Sequence, residues 1–319
     1  YMYFTEASLV FLSMKLNVGY AAVILIQLFI NLYALIYFYR FIASYYSSKI
    51  LAFTGCILLL GCFPYQIYNT FLYTESIFFS LTIIYSCYLV KIEKLTPKII
   101  LQLLLFIILL CITRPNGIFF LGATIIYLYF FVAQKINLFL KVGIFFLVSA
   151  IGLFILNYLM GSGGAIDIIL PFKDERVICD VPTLPFNANI DTLPNGNSLS
   201  GLFYYITHNF NQFSRLAILK TKAFFGLTRP YYSFGHNLFL IAYFYSFYVC
   251  IISIIFKKTK KLPIGFIYFI SIIIIYWLSV VFSCDEWHNR FFLNLTPFFI
   301  ILALFLFKNK NSNLPHDAQ

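Results

Sequence analysis

The chain of 319 residues is 62% hydrophobic and 10% charged, with a mean hydropathy of +0.90. Soluble domains average about 25% charged and 45–50% apolar residues, so an ordinary water-soluble domain is excluded. The net charge of +11 comes from Lys and Arg placed between apolar runs, where they act as topology signals; a nucleic-acid partner is not expected.

The chain begins at Tyr1. No basic stretch with a short apolar segment and a cleavage site leads into the first apolar run, so the sequence reads as lacking its original N-terminus. A membrane-crossing helix takes about 20 apolar residues, fewer where it is tilted or broken beside a cavity. About nine runs qualify on that basis. They cover residues 17–39, 50–63, 71–90, 99–112, 118–133, 142–159, 237–256, 264–282 and 291–307. The fourth and fifth runs are separated only by Pro115 and Gly117. The predicted fold class is all-α, a multi-pass transmembrane bundle with one long outer loop that carries an interfacial helix. Residues 1–159 read as an N-terminal transmembrane module, 160–236 as an extracytoplasmic loop, and 237–319 as C-terminal transmembrane helices with a short cytoplasmic tail.

Short cytoplasmic loops gather Lys and Arg. Arg40 with Lys49, then Lys91, Lys94 and Lys98, then Lys135 and Lys141, then Lys257, Lys258, Lys260 and Lys261, and finally Lys308 and Lys310 fall on one side of the membrane. Short loops around Gln66, Asn116 and Glu286 fall on the other, with Arg114 and Arg290 as their basic residues. Tyr1 is therefore expected outside and Gln319 inside, in a cell membrane with the active face extracytoplasmic.

The long loop opens with turn chemistry at Gly161, Gly163, Gly164, Pro171, Pro182, Pro185, Pro194 and Gly196. Residues 200–225 then place Phe203, Ile206, Phe210, Phe213, Leu216 and Leu219 at helical spacing among His208, Asn211, Arg215, Lys220 and Lys222. That pattern predicts one amphipathic helix, lying in the interface or packed on the bundle. The seven cysteines show no metal-binding spacing; Cys179 and Cys284, in polar segments, are the pair available for a disulfide.

Ionised groups within a bilayer are costly, so the few charges in or beside spans are the informative ones. Glu75 follows Tyr73 and Thr74 near the outer end of the third run. Arg114 lies at the helix break Thr113-Arg114-Pro115-Asn116-Gly117, and Asp285, Glu286, His288 and Arg290 crowd the short loop before the last run. Guanidinium forks grip phosphate oxygens, which fits Arg114 and Arg290 to the phosphate of a lipid-linked headgroup. Glu75 and His288 are the candidate catalytic groups, able to orient or deprotonate an acceptor hydroxyl, with Tyr73, Asn116, Asp285 and Glu286 as polar support. The plainer alternative is that Glu75 and Arg114 only neutralise each other and that the loop acids are solvated. His208 and His236 read first as surface or helix-end residues.

The stretch Phe63-Pro64, Tyr73-Thr74-Glu75-Ser76, then Thr113-Arg114-Pro115-Asn116-Gly117 resembles the GT-C superfamily of multi-spanning glycosyltransferases, in the branch of the enzyme adding the second mannose of GPI anchors and its bacterial relatives. Arg290 followed by Pro297 resembles the superfamily's C-terminal outer loop. Thr228-Arg229-Pro230-Tyr231-Tyr232 with His236-Asn237 resembles bacterial members.

The resemblance implies inverting transfer of a monosaccharide, mannose in this branch, from a polyprenyl-phosphate carrier to a lipid or glycan acceptor outside the cytoplasm, with no metal or other cofactor. The superfamily's acidic residue in the first outer loop has no matching motif here. Glu6 is the lone acid before Asn17, so the general base stays unassigned. Two other readings remain open. A polysaccharide polymerase or ligase would take a diphosphate-linked oligosaccharide, and a lipid-glycan transporter would carry polar groups near the midplane.

Overall fold

The computed structural model describes residues 3–133, 138–161, 169–179, 181, 197–256 and 262–308. Among the topology and turn signals named above, Tyr1, Lys135, Gly163, Gly164, Pro182, Pro185, Pro194, Gly196, Lys257, Lys258, Lys260, Lys261, Lys310 and Gln319 lie outside the described residues. The described chain is all-helical, with isolated bridges in place of strands.

The helices in order are α1 (Phe4–Lys15), α2 (Tyr20–Tyr45), α3 (Lys49–Gly61), α4 (Phe63–Gln66), α5 (Thr74–Val90), α6 (Pro97–Thr113), α7 (Gly117–Ala133) and α8 (Leu138–Gly161). They continue with α9 (Leu170–Lys173), α10 (Leu199–His208), α11 (Phe210–Gly226), α12 (Phe234–Phe256), α13 (Gly265–Phe282), α14 (Arg290–Leu293) and α15 (Thr296–Leu304). Local sequence sets several starts. The Ser48, Thr96 and Ser198 hydroxyls accept from Leu51 N–H at 3.3 Å, Ile99 N–H at 3.3 Å and Gly201 N–H at 3.0 Å, each satisfying an orphan amide of a first turn. Pro97 occupies the first position of α6, where no amide is needed.

By length and composition α2, α12 and α13 can each cross a membrane. The segment Lys49–Gly61 is bent by 67° against Phe63–Thr70, and the two together make a fourth candidate, broken at Cys62 just before Pro64. Shorter apolar helices include Thr74–Val90, Pro97–Thr113 and Thr296–Phe307. The chain is thus a helical membrane protein.

Several element boundaries differ from those read in the sequence. The first run begins at Tyr20 because Asn17 and Gly19 take positive φ, and it continues through Arg40 to Tyr45, so Arg40 lies inside the helix and not in a turn. The run expected at 291–307 is broken into α14 and α15, with Asn294 and Leu295 between them. The amphipathic stretch is two helices parted at Asn209, whose amide donates to the Tyr205 carbonyl at 2.8 Å. Helix α1, 12 residues long, was not read at all, being too short for a span.

The helices form two compact units. The first comprises Tyr1–Tyr127, Ala242–Ile272 and Leu293–Gln319. In it α5 packs against α2 and α6, and α3 against α2 and α15. Nearly every residue of α5 is buried, and its hydroxyls are satisfied: Thr82 donates to Asn294 at 2.9 Å, and Ser86 pairs with the Tyr268 hydroxyl at 3.0 Å. Phe120 stands edge-on to Phe78, Tyr85 and Phe298. At the break between α6 and α7 a Cβ on Gly117 would come within 2.5 Å of the Leu110 and Cys111 backbone, so only glycine fits that reversal.

The second unit comprises Leu128–Ile241 and Ile273–Phe292. The apolar faces of α10 and α11 close over Ile169, Phe172, Val177 and Ile178, with Tyr205 and Leu216 at the centre, while Phe203 and Phe210 stay exposed. Much of the amphipathic stripe is therefore covered by the preceding segment of the same unit.

Candidate functional site

In the first unit the carboxylate of Glu75 and the guanidinium of Arg114 form an ion pair at 2.5 Å, with 2% and 7% of their side chains exposed. Glu75 lies in the first turn of α5, where the helix dipole favours an anion. Arg114 ends α6 with extended φ and ψ, and its amide donates to Leu110 O at 2.9 Å. The extended backbone is what the following Pro115 requires, and it turns the side chain out of the helical register. The buried Nε of Arg114 has no hydrogen-bond partner.

A second carboxylate stands close by. Glu6 of α1 is buried and accepts from Gln27 Nε2 at 3.1 and 3.2 Å, while the same amide reaches the Tyr73 carbonyl at 3.4 Å. Burial pushes the Glu6 carboxyl above the usual value; the Gln27 hydrogen bond opposes this and the charge of Glu75 adds to it. The sequence gives Glu6 no role, since its neighbours do not match the acidic motif of the superfamily's first outer loop. Tyr73 contributes its carbonyl, and its exposed ring lies against Phe71 at 5.7 Å. Asn116 sits in the turn between α6 and α7, half-buried.

The second unit holds Asp285, Glu286, His288 and Arg290. Asp285 is fully buried against Arg229, itself 2% exposed. Arg229 also donates to Ala223 O at 3.0 Å, and Asn237 brackets its backbone with bonds of 3.0 and 2.9 Å. Asp285 therefore anchors the loop, and its second oxygen accepts from Glu286 N–H at 2.9 Å. Burial pushes its carboxyl up to about 6 against the opposing pull of Arg229. Glu286 is half-buried beside it, and His288 is exposed with Arg290 half-buried two residues on. Burial and the Arg290 charge push the His288 imidazole below its ordinary value. His208 stacks on Tyr204 at the end of α10, and among the described residues no cluster of His, Cys, Asp and Glu has the makings of a metal site.

A disulfide and two backbone hydrogen bonds clamp this loop. Cys179 and Cys284 form a disulfide across 105 residues of chain, with Cα atoms 5.2 Å apart. Backbone bridges run beside it, Cys179 N–H to Asp285 O at 2.8 Å and Asp285 N–H to Val177 O at 2.9 Å. Closing so long a loop limits the unfolded chain, and replacing both cysteines by serine is expected to destabilise the protein by about 2–4 kcal/mol. A lower thermal midpoint, read by loss of the monodisperse peak after heating, checks this.

Lys220 of α11 is fully buried, its Nζ 3.3 Å from the Val281 carbonyl and 4.1 Å from the Phe172 ring centroid. Burial pushes it down to about 7 from an ordinary 10.5. Its native form thus binds fewer protons than the unfolded chain between those values, so stability rises with pH there. Lys220→Met is expected to remove a slope approaching about 1.4 kcal/mol per pH unit, measured by unfolding at about pH 8 and 10.

No protein-family model, curated protein or solved structure matches this chain. The glycosyltransferase resemblance therefore rests on the motifs quoted above.

Proposed function

We propose that the protein is a membrane-embedded inverting glycosyltransferase that moves a monosaccharide, mannose by the motif resemblance, from a polyprenyl-phosphate carrier to a hydroxyl of a lipid or glycan acceptor outside the cytoplasm. The observation that carries the reading is the Glu75–Arg114 pair, buried at a helix break with one guanidinium donor unmet, beside the buried carboxylate of Glu6. Burying charge in an apolar bundle is expensive, and an unmet buried donor more so unless a ligand uses it.

In this reading the acceptor oxygen attacks the anomeric carbon, the carbon–oxygen bond to the carrier phosphate breaks with inversion, and the hydroxyl proton passes to a carboxylate. Arg114 stabilises the phosphate as charge builds on the leaving oxygen. Arg290, in the second unit, carries the same planar fork, which suits a phosphate by chemistry. Glu75 orients Arg114, and Glu6 joins Glu75 as a candidate proton acceptor.

About nine spans, with the basic loops cytoplasmic, complete the proposed topology. Reporter fusions at Lys135 and at Asn195 test it, with cytoplasmic activity expected at the first and outer activity at the second. The activity test is release of radiolabelled mannose from polyprenyl-phosphate mannose by the purified chain in lipid nanodiscs, with membrane glycolipid extract as acceptor. Transfer from a diphosphate-linked oligosaccharide in its place would overturn the donor assignment.

A further inference from the structure

In the second unit the turn leading into α12, the first turn of α12 and the loop after α13 bring five rings together. Trp287 and His288 stack at 4.9 Å and 11°. His288 is nearly parallel to Tyr232 at 6.4 Å and 6°, and Tyr232 stacks on His236 at 4.2 Å and 5°. Tyr231 stands edge-on to Tyr232 at 5.1 Å and to Trp287 at 5.8 Å, and its hydroxyl donates to the Trp287 carbonyl. Trp287 and Tyr231 are 48% and 41% exposed.

The segments that carry the array are tied by polar and covalent contacts. Asp285 pairs with Arg229, the disulfide holds Cys284, and Asn289 Nδ2 donates to Leu227 O at 2.7 Å, fixing that left-handed residue where α11 ends.

Exposed ring faces suit the C–H face of a pyranose, and imidazoles alongside suit its hydroxyls. An imidazole held neutral donates from one nitrogen and accepts at the other, as a hydroxyl also does; a phosphate, which only accepts, gains less from it. Aromatic residues also gather in belts at membrane interfaces. They need neither coplanar layers, nor two histidines within the stack, nor a buried ion pair in the segments that carry them.

We infer that the layered array of Tyr231, Tyr232, His236, Trp287 and His288 is a sugar-ring platform that seats the acceptor glycan. The word acceptor rests on the transfer reading above; sugar binding does not.

The chain has two tryptophans, and Trp277 donates to Thr221 away from the stack, so Trp277→Phe leaves Trp287 as sole emitter. In nanodiscs, titrating this variant with α-mannobiose is expected to give a saturable change in emission, absent in the further variant Tyr231→Ala. Trp287→Ala, at an exposed position, should raise acceptor KM about tenfold with donor KM unmoved. No saturable change with mannobiose, maltose or cellobiose, together with quenching of Trp287 by brominated lipid, would overturn the platform and make the array a headgroup anchor. Sugar binding without transfer from any polyprenyl-phosphate sugar would remove the transfer reading and leave the platform. Transfer without saturable sugar binding would do the reverse.

Discussion

Asp285→Ala is expected to destabilise the protein by about 3–5 kcal/mol at neutral pH, the usual consequence of leaving one member of a buried ion pair without the other. Arg229 would keep its bonds to Ala223 and Thr228, but its charge would remain in a site that is 2% exposed. Replacing both partners, Arg229→Met with Asp285→Leu, removes the uncompensated charge and should recover most of the loss, since apolar groups of similar volume often equal a buried pair. The pair also sets a pH dependence. The folded carboxyl at about 6 exceeds its ordinary 3.8, so the native state binds more protons in that window and its stability falls as pH rises through it, then levels off. Asp285→Asn should abolish that slope. Heating detergent-solubilised protein at about pH 4.5 and pH 7.5 and following the monodisperse peak decides the matter; a single Ala variant as stable as the wild type would mean that Arg229 finds water or another partner.

Composition alone made the fold class legible, because runs of Ile, Leu and Phe of this length have no other stable home than a bilayer. Individual ends were less legible. Arg40 reads as a loop residue because it is charged, yet a long side chain near the end of a helix can reach the interface while its backbone stays helical. The last run looked continuous because Asn294 is a single polar residue among apolar ones, and only its bond with Thr82, 212 positions away, shows what it is for. The site followed the same division. Glu75 and Arg114 were singled out by their cost and by their motifs, and the structure joins them. The partnership of Arg229 with Asp285 spans 56 positions, and Glu6 meets Gln27 across 21; no periodicity encodes such pairs. What could have flagged Gln27 was its amide within a run otherwise apolar from Ala21 to Ile30, a polar group that needs a partner once buried.

Arg114→Ala is expected to lower donor turnover by about 10²–10³-fold, the range for deleting one preorganised donor that stabilises developing charge. The single variant also leaves Glu75 buried without its cation, so lost activity alone would not separate chemistry from folding. Two further variants do so. Arg114→Lys keeps the charge but not the planar fork, and should retain the pairing with Glu75 while recovering little activity, because a point charge cannot grip phosphate in two places. Arg114→Met with Glu75→Gln removes both charges, should stay folded within about 1 kcal/mol of the wild type, and should remain inactive. If that double variant elutes as a monodisperse peak and still releases mannose from polyprenyl-phosphate mannose at the wild-type rate, the buried pair is a neutralised structural contact and Arg114 has no part in holding the carrier phosphate. If Arg114→Lys, with Glu75 intact, is folded and nearly silent while keeping partial donor binding, the guanidinium is the group the leaving phosphate needs, and the unmet Nε at the helix break is the donor waiting for it.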